Sequence, residues 1–191
     1  MPPETHPPAL LLIDLQRAID DPRWAAVGPR NNPEAEANVA RLLAAWRGAG
    51  YPVIHVRHDS VEPNSTYRPG APGHAFKEEA MPAAGEVVVA KRSNSAFIGT
   101  GLDDLLRGRG ITALVVAGVI TNNSVEATVR MAGNLGYATT LVSDATCTFA
   151  KRDGRGRVWS AEDVHALSLA NMDGEYATVA TTETVLAALP G

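Results

Sequence analysis

The feature that most constrains the fold is a series of short apolar runs that alternate with segments of helical periodicity. The first run is Ala9-Leu10-Leu11-Leu12-Ile13, and strands of similar length are predicted at 51–56, 86–90, 113–118 and 138–142. A strand that is covered on both faces of a parallel sheet loses the usual alternation of apolar and polar residues. The runs therefore predict a parallel sheet with helices on both of its faces.

Segments in which apolar residues recur at helical spacing lie between these runs. Asn32 and Pro33 are typical of a helix start, with Asn32 as the N-cap and Pro33 at the first helical position. Further elements are predicted as helices at 102–109, 125–135 and 161–171 and as a last strand at 177–179. This alternation predicts a doubly wound, Rossmann-like α/β fold with a mainly parallel sheet of about six strands.

The chain length suits a single domain. With 191 residues the chain is long enough to bury a core on both faces of a sheet, and it contains no internal repeat. The proline-rich residues 1–8 are expected to form an extended leader, and residues 9–191 one domain. The leader has neither the basic start nor the apolar stretch of a signal peptide, so a cytoplasmic location is expected. The single cysteine, Cys147, agrees with a reducing compartment.

Charge and hydropathy argue against two classes of partner. The 17 basic and 21 acidic residues leave a net charge of −4, and no basic stripe interleaved with aromatic residues is present. The apolar runs are too short to span a bilayer. We therefore expect neither a nucleic acid nor a membrane as a partner, and a small molecule as the ligand.

Three side chains capable of chemistry follow predicted strands. Asp14, Lys91 and Ser124 come at or just after the carboxyl ends of separate strands, where ligands bind in open α/β sheets. Each alone has a structural explanation, because Asp14 can cap a turn, Lys91 can be solvated and Ser124 can start a helix. Their common placement favours a catalytic site made of a carboxylate, an ammonium and a hydroxyl.

Several segments around these residues resemble the isochorismatase-like hydrolase superfamily. The stretch Gly118–Thr128 (GVITNNSVEAT) is similar to its G-V-x-T-x-x-C-V-x-x-T signature, with Ser124 in place of the cysteine. Further matches are found in Leu12-Ile13-Asp14-Leu15-Gln16, in Lys91 followed by Ser95-Ala96-Phe97, in Gly136-Tyr137, and in Val142-Ser143-Asp144-Ala145. The resemblance runs in order from about residue 9 to residue 180.

The resemblance implies roles for the matched residues. Asp14 would be the proton acceptor, Lys91 the charge-stabilising lysine, and Ser124 would occupy the position of the nucleophile. A non-proline cis peptide would join Val119 and Ile120, and the Ile120 and Ser124 N–H groups would hold the oxyanion. Such a position also makes physical sense, because a nucleophile in the first turn of a helix lies beside unpaired N–H groups and the positive end of the dipole. Relatives assemble as homo-oligomers, so a dimer or tetramer is expected.

Serine at position 124 departs from the family pattern and leaves three interpretations open. A hydroxyl is far less acidic than a thiol, so it needs a general base such as Asp14 within hydrogen-bond reach. Ser124 is then a natural nucleophile activated by Asp14, or an engineered Cys→Ser exchange that traps a substrate. In the third interpretation it is not a nucleophile, and Asp14 is a general acid, as in the true isochorismatases.

These interpretations lead to three functional hypotheses. The first is hydrolysis of a C–N bond in a small amide, ureide or similar compound. The second is isochorismatase-type hydrolysis of a vinyl ether, with Asp14 as the acid. The third is a catalytically silent binding protein, against which the presence of both Asp14 and Lys91 argues. No cofactor is expected, and no histidine spacing suggests a metal site.

Substrate contacts are expected from residues near the predicted strand ends and in the loops. The candidates are Gln16, Trp24, His58, Phe97, Asn122 and Asn123, with Tyr67 and Trp159 as further candidates for an aromatic wall. Other chemically capable residues have simpler explanations. His55 is expected in the core or on the surface, His165 to pack within a helix, and Cys147 to be a small buried residue.

Overall fold

The computed structural model describes residues 6–189. Residues 1–5 of the predicted leader and residues 190–191 of the predicted domain lie outside the described residues. Within the described part, the chain alternates strands and helices from β1 to a short last helix, in the order that the sequence predicts for a doubly wound domain.

A parallel sheet of six strands forms the centre of the molecule, which confirms the predicted fold class. The strand order is β3-β2-β1-β4-β5-β8, and every neighbouring pair is parallel. These strands are β1 (Ala9–Ile13), β2 (Val53–His58), β3 (Val87–Lys91), β4 (Ala113–Val119), β5 (Ala138–Cys147) and β8 (Thr178–Ala180).

Five α-helices cover the two faces of the sheet. They are α1 (Ala35–Ala49), α2 (Leu102–Gly108), α3 (Glu126–Asn134), α4 (Ala161–Met172) and α5 (Thr182–Ala187). Side chains of α1 and α5 belong to one apolar layer, and side chains of α2, α3 and α4 belong to the other. Among residues 6–189, no helix has the length and apolar character needed to cross a membrane.

The first strand shows why a continuous apolar run was the right signal. Successive side chains of a strand point to opposite faces. Leu10 and Leu12 accordingly pack with α1, while Leu11 and Ile13 pack with α2 and α3. All five residues of β1 are buried, so both layers of the core depend on this strand.

The strand order places a crevice between β1 and β4. The chain runs outward from β1 through β2 to β3, and then returns to the other side of β1 with β4. Open α/β sheets bind ligands at such a reversal, outside the carboxyl ends of the strands. Gly118 lets the two strands approach closely there, because a Cβ at this position would lie 2.2 Å from the carbonyl oxygen of Ile13.

The predicted start of the first helix is wrong in its detail. α1 begins at Ala35 with Glu34 as N-cap, and Asn32 has a left-handed backbone with φ of 44°. The Asn32 side chain instead donates to the carbonyl oxygens of Ser143 (2.9 Å) and Thr146 (2.7 Å). The Asn32 side chain is therefore used in tertiary hydrogen bonds and not in capping the helix.

Several short elements were not predicted. A two-stranded hairpin of β6 (Lys151–Arg152) and β7 (Val158–Trp159) follows β5, and α5 ends the described chain. The loops after β1 and β2 contain short 3-10 turns at 17–20, 22–25, 72–74 and 78–80. The two hairpin strands have only two residues each and the 3-10 turns only three or four, so none of them forms an apolar run or shows a hydrophobic period.

Candidate active site

Asp14, Lys91 and Ser124 meet at the carboxyl edge of the sheet. Lys91 Nζ lies 2.7 Å from Asp14 Oδ2 and 3.3 Å from Ser124 Oγ. The three residues are only 4%, 1% and 8% exposed. A carboxylate, an ammonium and a hydroxyl that arrive from three strands are thus held in contact and largely out of water, where charge interactions are strong.

The Lys91 ammonium also contacts two further groups. Its Nζ lies 3.1 Å from the carbonyl oxygen of Ser93 and 3.2 Å from His58 Nδ1. The ammonium is fixed by the last residue of β2 on one side and by its own loop on the other. Burial of such a charge costs much free energy unless it is paired in this way.

The second carboxyl oxygen of Asp14 is available for chemistry. Asp14 Oδ1 is buried and has no hydrogen-bond partner among residues 6–189. Burial raises the pKa of the Asp14 carboxyl above its ordinary value, and the neighbouring Lys91 ammonium opposes that rise. A carboxyl group with one oxygen on a lysine and the other unoccupied is suited to accept or donate a proton.

The turn that carries Ser124 connects β4 to α3. The peptide bond between Val119 and Ile120 is cis, as the family resemblance implies. Residues 121–125 form a helical turn that is kinked at Asn122 (φ −88°, ψ 18°), and α3 continues from Glu126. Ser124 therefore lies at the N-terminal end of a helical segment, where the dipole favours developing negative charge.

Helix α4 holds this turn from outside. The buried Thr121 Oγ1 lies 2.9 Å from His165 Nδ1, and Ser168 donates to Glu126 at 2.6 Å. His165 thus packs against the turn that carries Ser124 from within a helix. Sequence analysis expected His165 to be a packing residue, and the structure adds the hydrogen bond to Thr121.

Thr128 holds the turn from inside. Its hydroxyl donates to the carbonyl oxygen of Ser124 at 2.7 Å and accepts from the backbone N–H of Ala96 at 3.0 Å. The hydroxyl therefore joins the Ser124 turn to the loop after β3, the strand that ends with Lys91. Thr128 is the last residue of the signature in Gly118–Thr128, although sequence analysis gave it no role.

Gln16, a predicted substrate contact, hydrogen-bonds the protein backbone. Its Oε1 accepts from the His58 N–H at 2.8 Å, and its Nε2 donates to the carbonyl oxygens of His58 (3.2 Å) and His74 (2.9 Å). The amide is completely buried, and both of its N–H groups are used. Gln16 therefore fixes the end of β2 beside Lys91.

A row of aromatic rings extends outward from Lys91. The His58 ring packs edge-to-face on Tyr67 with centroids 5.7 Å apart, and Tyr67 packs in the same way on Trp24 at 6.2 Å. Trp24 in turn stacks on Phe149 at 6.0 Å. The predicted positions of Trp24 and His58 thus fall in one cluster that adjoins the ammonium, and Tyr67 joins them.

Phe97 and Trp159 lie elsewhere. The partly buried Phe97 ring stacks on Tyr137 at 5.8 Å and packs against the apolar layer of α2 and α3. Trp159 belongs to the β6–β7 hairpin, where the Arg157 guanidinium covers its ring. Neither contact involves Asp14, Lys91 or Ser124.

The two asparagines of the turn differ. Asn122 is half-buried and its Oδ1 accepts from the Thr148 hydroxyl at 2.5 Å, which links the turn to the segment after β5. Asn123 is exposed. Only Asn122 is thus tied into the structure around Ser124.

Cys147 and His55 lie in the interior of the protein. Cys147 is completely buried, and burial raises the pKa of its thiol to about 11, so it remains a neutral thiol. His55 is also completely buried, with Nε2 2.8 Å from Glu86. In the described part of the chain, no group of three or more His, Cys, Asp or Glu side chains is placed to hold a metal ion.

A network of charges pins the loops that surround the site. Glu36 at the start of α1 accepts two hydrogen bonds from Arg30, and Lys77 Nζ lies 3.2 Å from Glu36 and 2.6 Å from Asp20. Burial opposes ionisation of Glu36, but the hydrogen bonds and charge of Arg30 outweigh it and lower the Glu36 pKa to about 2. The loops after β1 and β2 are therefore tied to each other and to α1.

Comparison with known proteins supports the assignment that the motifs suggested. The Isochorismatase domain matches residues 8–184. A crystal structure assigned to the isochorismatase family, from Chromobacterium violaceum ATCC 12472, is 64% identical, with a TM-score of 0.91 over 95% of this chain and 92% of that chain.

Two curated relatives extend the comparison. The uncharacterized isochorismatase family protein YrdC of Bacillus subtilis (strain 168) is 42% identical over 93% of this chain and 94% of its own length. Maleamate amidohydrolase of Pseudomonas putida KT2440 is 29% identical over 92% of this chain and 84% of its own length. The domain match, the fold and the order of the motifs agree, and the chain belongs to the isochorismatase family of hydrolases.

Proposed function

We propose that the protein hydrolyses a C–N bond in a small amide or ureide, with Ser124 as the nucleophile. The observation that carries this proposal is the contact of Lys91 Nζ with both Asp14 Oδ2 and Ser124 Oγ, at 2.7 and 3.3 Å. Amidohydrolases among the relatives, such as maleamate amidohydrolase, support the reaction class. Since a fold alone does not determine function, the proposal rests mainly on the site.

In the first half of the reaction, Asp14 is the general base. Its Oδ1, which has no partner among the described residues, takes the hydroxyl proton as Ser124 Oγ forms a bond to the substrate carbonyl carbon. The same proton then passes from Asp14 to the leaving nitrogen when the C–N bond breaks. In the second half, Asp14 takes a proton from water as the water oxygen attacks the acyl carbon, and returns this proton to Ser124 Oγ when the bond between Oγ and the acyl carbon breaks.

Lys91 and the turn stabilise the negative charge that develops. The ammonium contacts both Asp14 and Ser124, so it favours the ionised carboxylate before proton transfer and the developing alkoxide during it. The Ile120 and Ser124 N–H groups are the proposed donors to the carbonyl oxygen of the tetrahedral intermediate. A helix N-terminus adds a favourable dipole at the same place.

One observation favours a second candidate function. Burial raises the pKa of the Asp14 carboxyl, which helps that group to remain protonated and to act as a general acid. Asp14 would then protonate the vinyl group of an isochorismate-like ether, and water would complete the hydrolysis. Ser124 would take no covalent part in this reaction.

An assay of three proteins separates the two candidates. The wild-type protein, Ser124→Ala and Ser124→Cys are tested against a panel of small amides, ureides and isochorismate. Amide hydrolysis predicts that Ser124→Ala loses nearly all turnover, whereas vinyl-ether hydrolysis predicts that this variant keeps it. If only Ser124→Cys turns over an amide, the serine is not an effective nucleophile and the proposal is wrong.

A further inference from the structure

The Lys91 ammonium has more neighbours at hydrogen-bond distance than it has protons to donate. Four atoms lie within hydrogen-bond distance of Nζ, at 2.7 to 3.3 Å: Asp14 Oδ2, Ser93 O, His58 Nδ1 and Ser124 Oγ. An ammonium group has three protons and no acceptor. One of the four atoms must therefore go without a full hydrogen bond at any moment.

The chemistry of the four atoms shows which of them share a proton. The Asp14 carboxylate and the Ser93 carbonyl can only accept, so they take two of the three protons. The third proton is left to Ser124 Oγ and His58 Nδ1. If Nδ1 carried a proton, that N–H would face a positive ammonium at 3.2 Å, so the lone pair of Nδ1 faces Lys91.

The other ring nitrogen of His58 must then carry the proton. A neutral imidazole has one N–H, and it is on Nε2 when Nδ1 accepts a hydrogen bond. The His58 ring is half-buried, and within residues 6–189 no protein group hydrogen-bonds Nε2. Gln16 hydrogen-bonds both the N–H and the carbonyl of His58, which fixes the backbone from which the ring extends.

We propose that Lys91 fixes His58 as the neutral Nε2–H tautomer, and that this N–H donates a hydrogen bond to an acceptor atom of the substrate. The second part rests on the proposed hydrolase function, whereas the tautomer does not. The substrate class follows: a compound with a carbonyl, ether or ring-nitrogen acceptor beside the scissile bond, rather than an ammonium group there. Once Ser124 Oγ is acylated, it is a poor acceptor, and the third N–H of Lys91 then donates its hydrogen bond to His58 Nδ1.

The groups around His58 keep the ring neutral. Lys91 faces it from β3, Asp14 from the end of β1, and Asp59 follows it in the chain, while the Tyr67 ring packs on it. Burial lowers the His58 pKa below its ordinary value of 6.5, and the Lys91 charge lowers it further. The Asp14 and Asp59 carboxylates act in the opposite direction but do not outweigh these two effects. Protonation on Nδ1 would remove the acceptor for Lys91. Activity is therefore expected to be constant above the His58 pKa and to fall as the pH drops through it.

Nitrogen NMR of the intact protein tests the tautomer directly. Histidine labelled with ¹⁵N is recorded from pH 5 to 8, and His58→Asn assigns the His58 signals among the five histidines. The proposal predicts the Nε2–H tautomer at neutral pH and a His58 pKa below 6.5. In Lys91→Met, which lacks the ammonium, the His58 pKa is expected to rise. An Nδ1–H tautomer or an imidazolium at pH 7 in the wild-type protein would overturn the proposal.

Two variants test the role toward the substrate. His58→Phe keeps a ring but loses both nitrogens, and kcat/KM for the amide is expected to fall roughly 10- to 100-fold. His58→Asn retains an acceptor for Lys91 and a donor for the substrate, so it is expected to keep most of that activity. The exposed His6→Asn is the matched control, and melting temperatures verify folding.

The outcomes of the two experiments are separable. If the NMR signals match but no amide is hydrolysed by the wild-type protein, the proposed function fails and the tautomer stands. If amides are hydrolysed and His58→Phe is as active as the wild-type protein over the whole pH range, the substrate role of His58 is wrong while the proposed function stands.

Discussion

The two edges of the central sheet differ in what they contain. The carboxyl edge holds Asp14, Lys91 and Ser124 in a nearly closed space. The amino edge borders a groove of about 770 Å³, whose lining is mainly apolar and includes Trp46, Leu114 and Val115. This groove is thus at the edge opposite to Asp14, Lys91 and Ser124.

The comparison shows that a large groove and a cluster of reactive side chains can lie at opposite edges of the same sheet. Parallel strands bring residues that follow each strand together at the carboxyl edge, and the reversal between β1 and β4 opens a crevice there. At the amino edge the same packing leaves apolar side chains that belong to the core. We therefore expect substitutions at the carboxyl edge to affect activity most, and substitutions at the amino edge to affect stability most.

The largest expected effect is that of Asp14→Asn. The variant keeps the shape of the side chain but cannot accept the Ser124 proton, so kcat is expected to fall at least about 10³-fold. The measurement is kcat for the best amide of the panel. Because the change leaves Lys91 buried without a counter-charge, stability is expected to fall as well.

A double variant separates this loss of stability from the loss of activity. Asp14→Asn with Lys91→Met removes both charges, so it is expected to recover much of the stability that either single variant loses, while it stays inactive. Chemical denaturation of the four proteins measures the coupling. A double variant with wild-type activity would show that the pair has no catalytic role.

Leu114→Ala tests the amino edge. Leu114 is a buried residue of β4 that borders the groove, and its truncation is expected to lower the free energy of unfolding by about 3 kcal/mol. The kcat of the folded variant is expected to stay within about twofold of the wild-type value, because the triad lies at the other edge. A large fall in kcat with little change in stability would break the division between the two edges.

The free energy of unfolding is expected to depend on pH through Glu36, which holds the loops at the carboxyl edge. Its pKa is about 2 in the folded protein and 4.5 ordinarily, so the stabilisation is fully present above pH 4.5 and is lost as the pH falls toward 2. Because one pKa unit corresponds to about 1.4 kcal/mol, we expect about 3 kcal/mol to be lost in this window. In Glu36→Gln this part of the pH dependence of unfolding should be absent, and an unchanged profile would contradict the assignment.

The smallest expected effect is that of Thr128→Val, which keeps the shape but removes the hydroxyl between the Ser124 and Lys91 segments. Two buried hydrogen bonds are lost, so kcat is expected to fall about tenfold with little change in KM. Thr139→Val is the matched control, because Thr139 is also a buried threonine but its hydroxyl bonds only the carbonyl of Tyr137. Equal effects of the two changes would argue against a positioning role for Thr128.

The features that sequence predicted are those set by local pattern and chain order. The apolar run at β1 and the helical spacing of α1 show which side chains face the core. They therefore predicted the strand and the helix correctly. The meeting of the three reactive side chains could be predicted from topology, because residues at the carboxyl ends of parallel strands lie at one edge of the sheet. The positions of Asp14, Lys91 and Ser124 were predicted on that basis together with the family resemblance.

The features that sequence missed depend on contacts between distant residues. Asn32 bonds carbonyls more than a hundred residues away, so no local signal separated this role from capping. Gln16 and Phe97 lie in matched motifs, yet one clamps the backbone of β2 and the other stacks on Tyr137. The motif does not give the direction of a side chain, so these two contacts could not be predicted from the sequence.

The central claim is that Ser124 forms a covalent bond to the acyl part of an amide, and mass spectrometry of the quenched reaction tests it most directly. The wild-type protein is mixed with the best substrate, stopped in acid within the first turnovers, and its intact mass and peptides are recorded. We predict an added mass equal to the acyl group on the peptide that contains Ser124, and none in Ser124→Ala. Full turnover by Ser124→Ala, with no adduct on either protein, would contradict the account and favour Asp14 acting as an acid without a nucleophile.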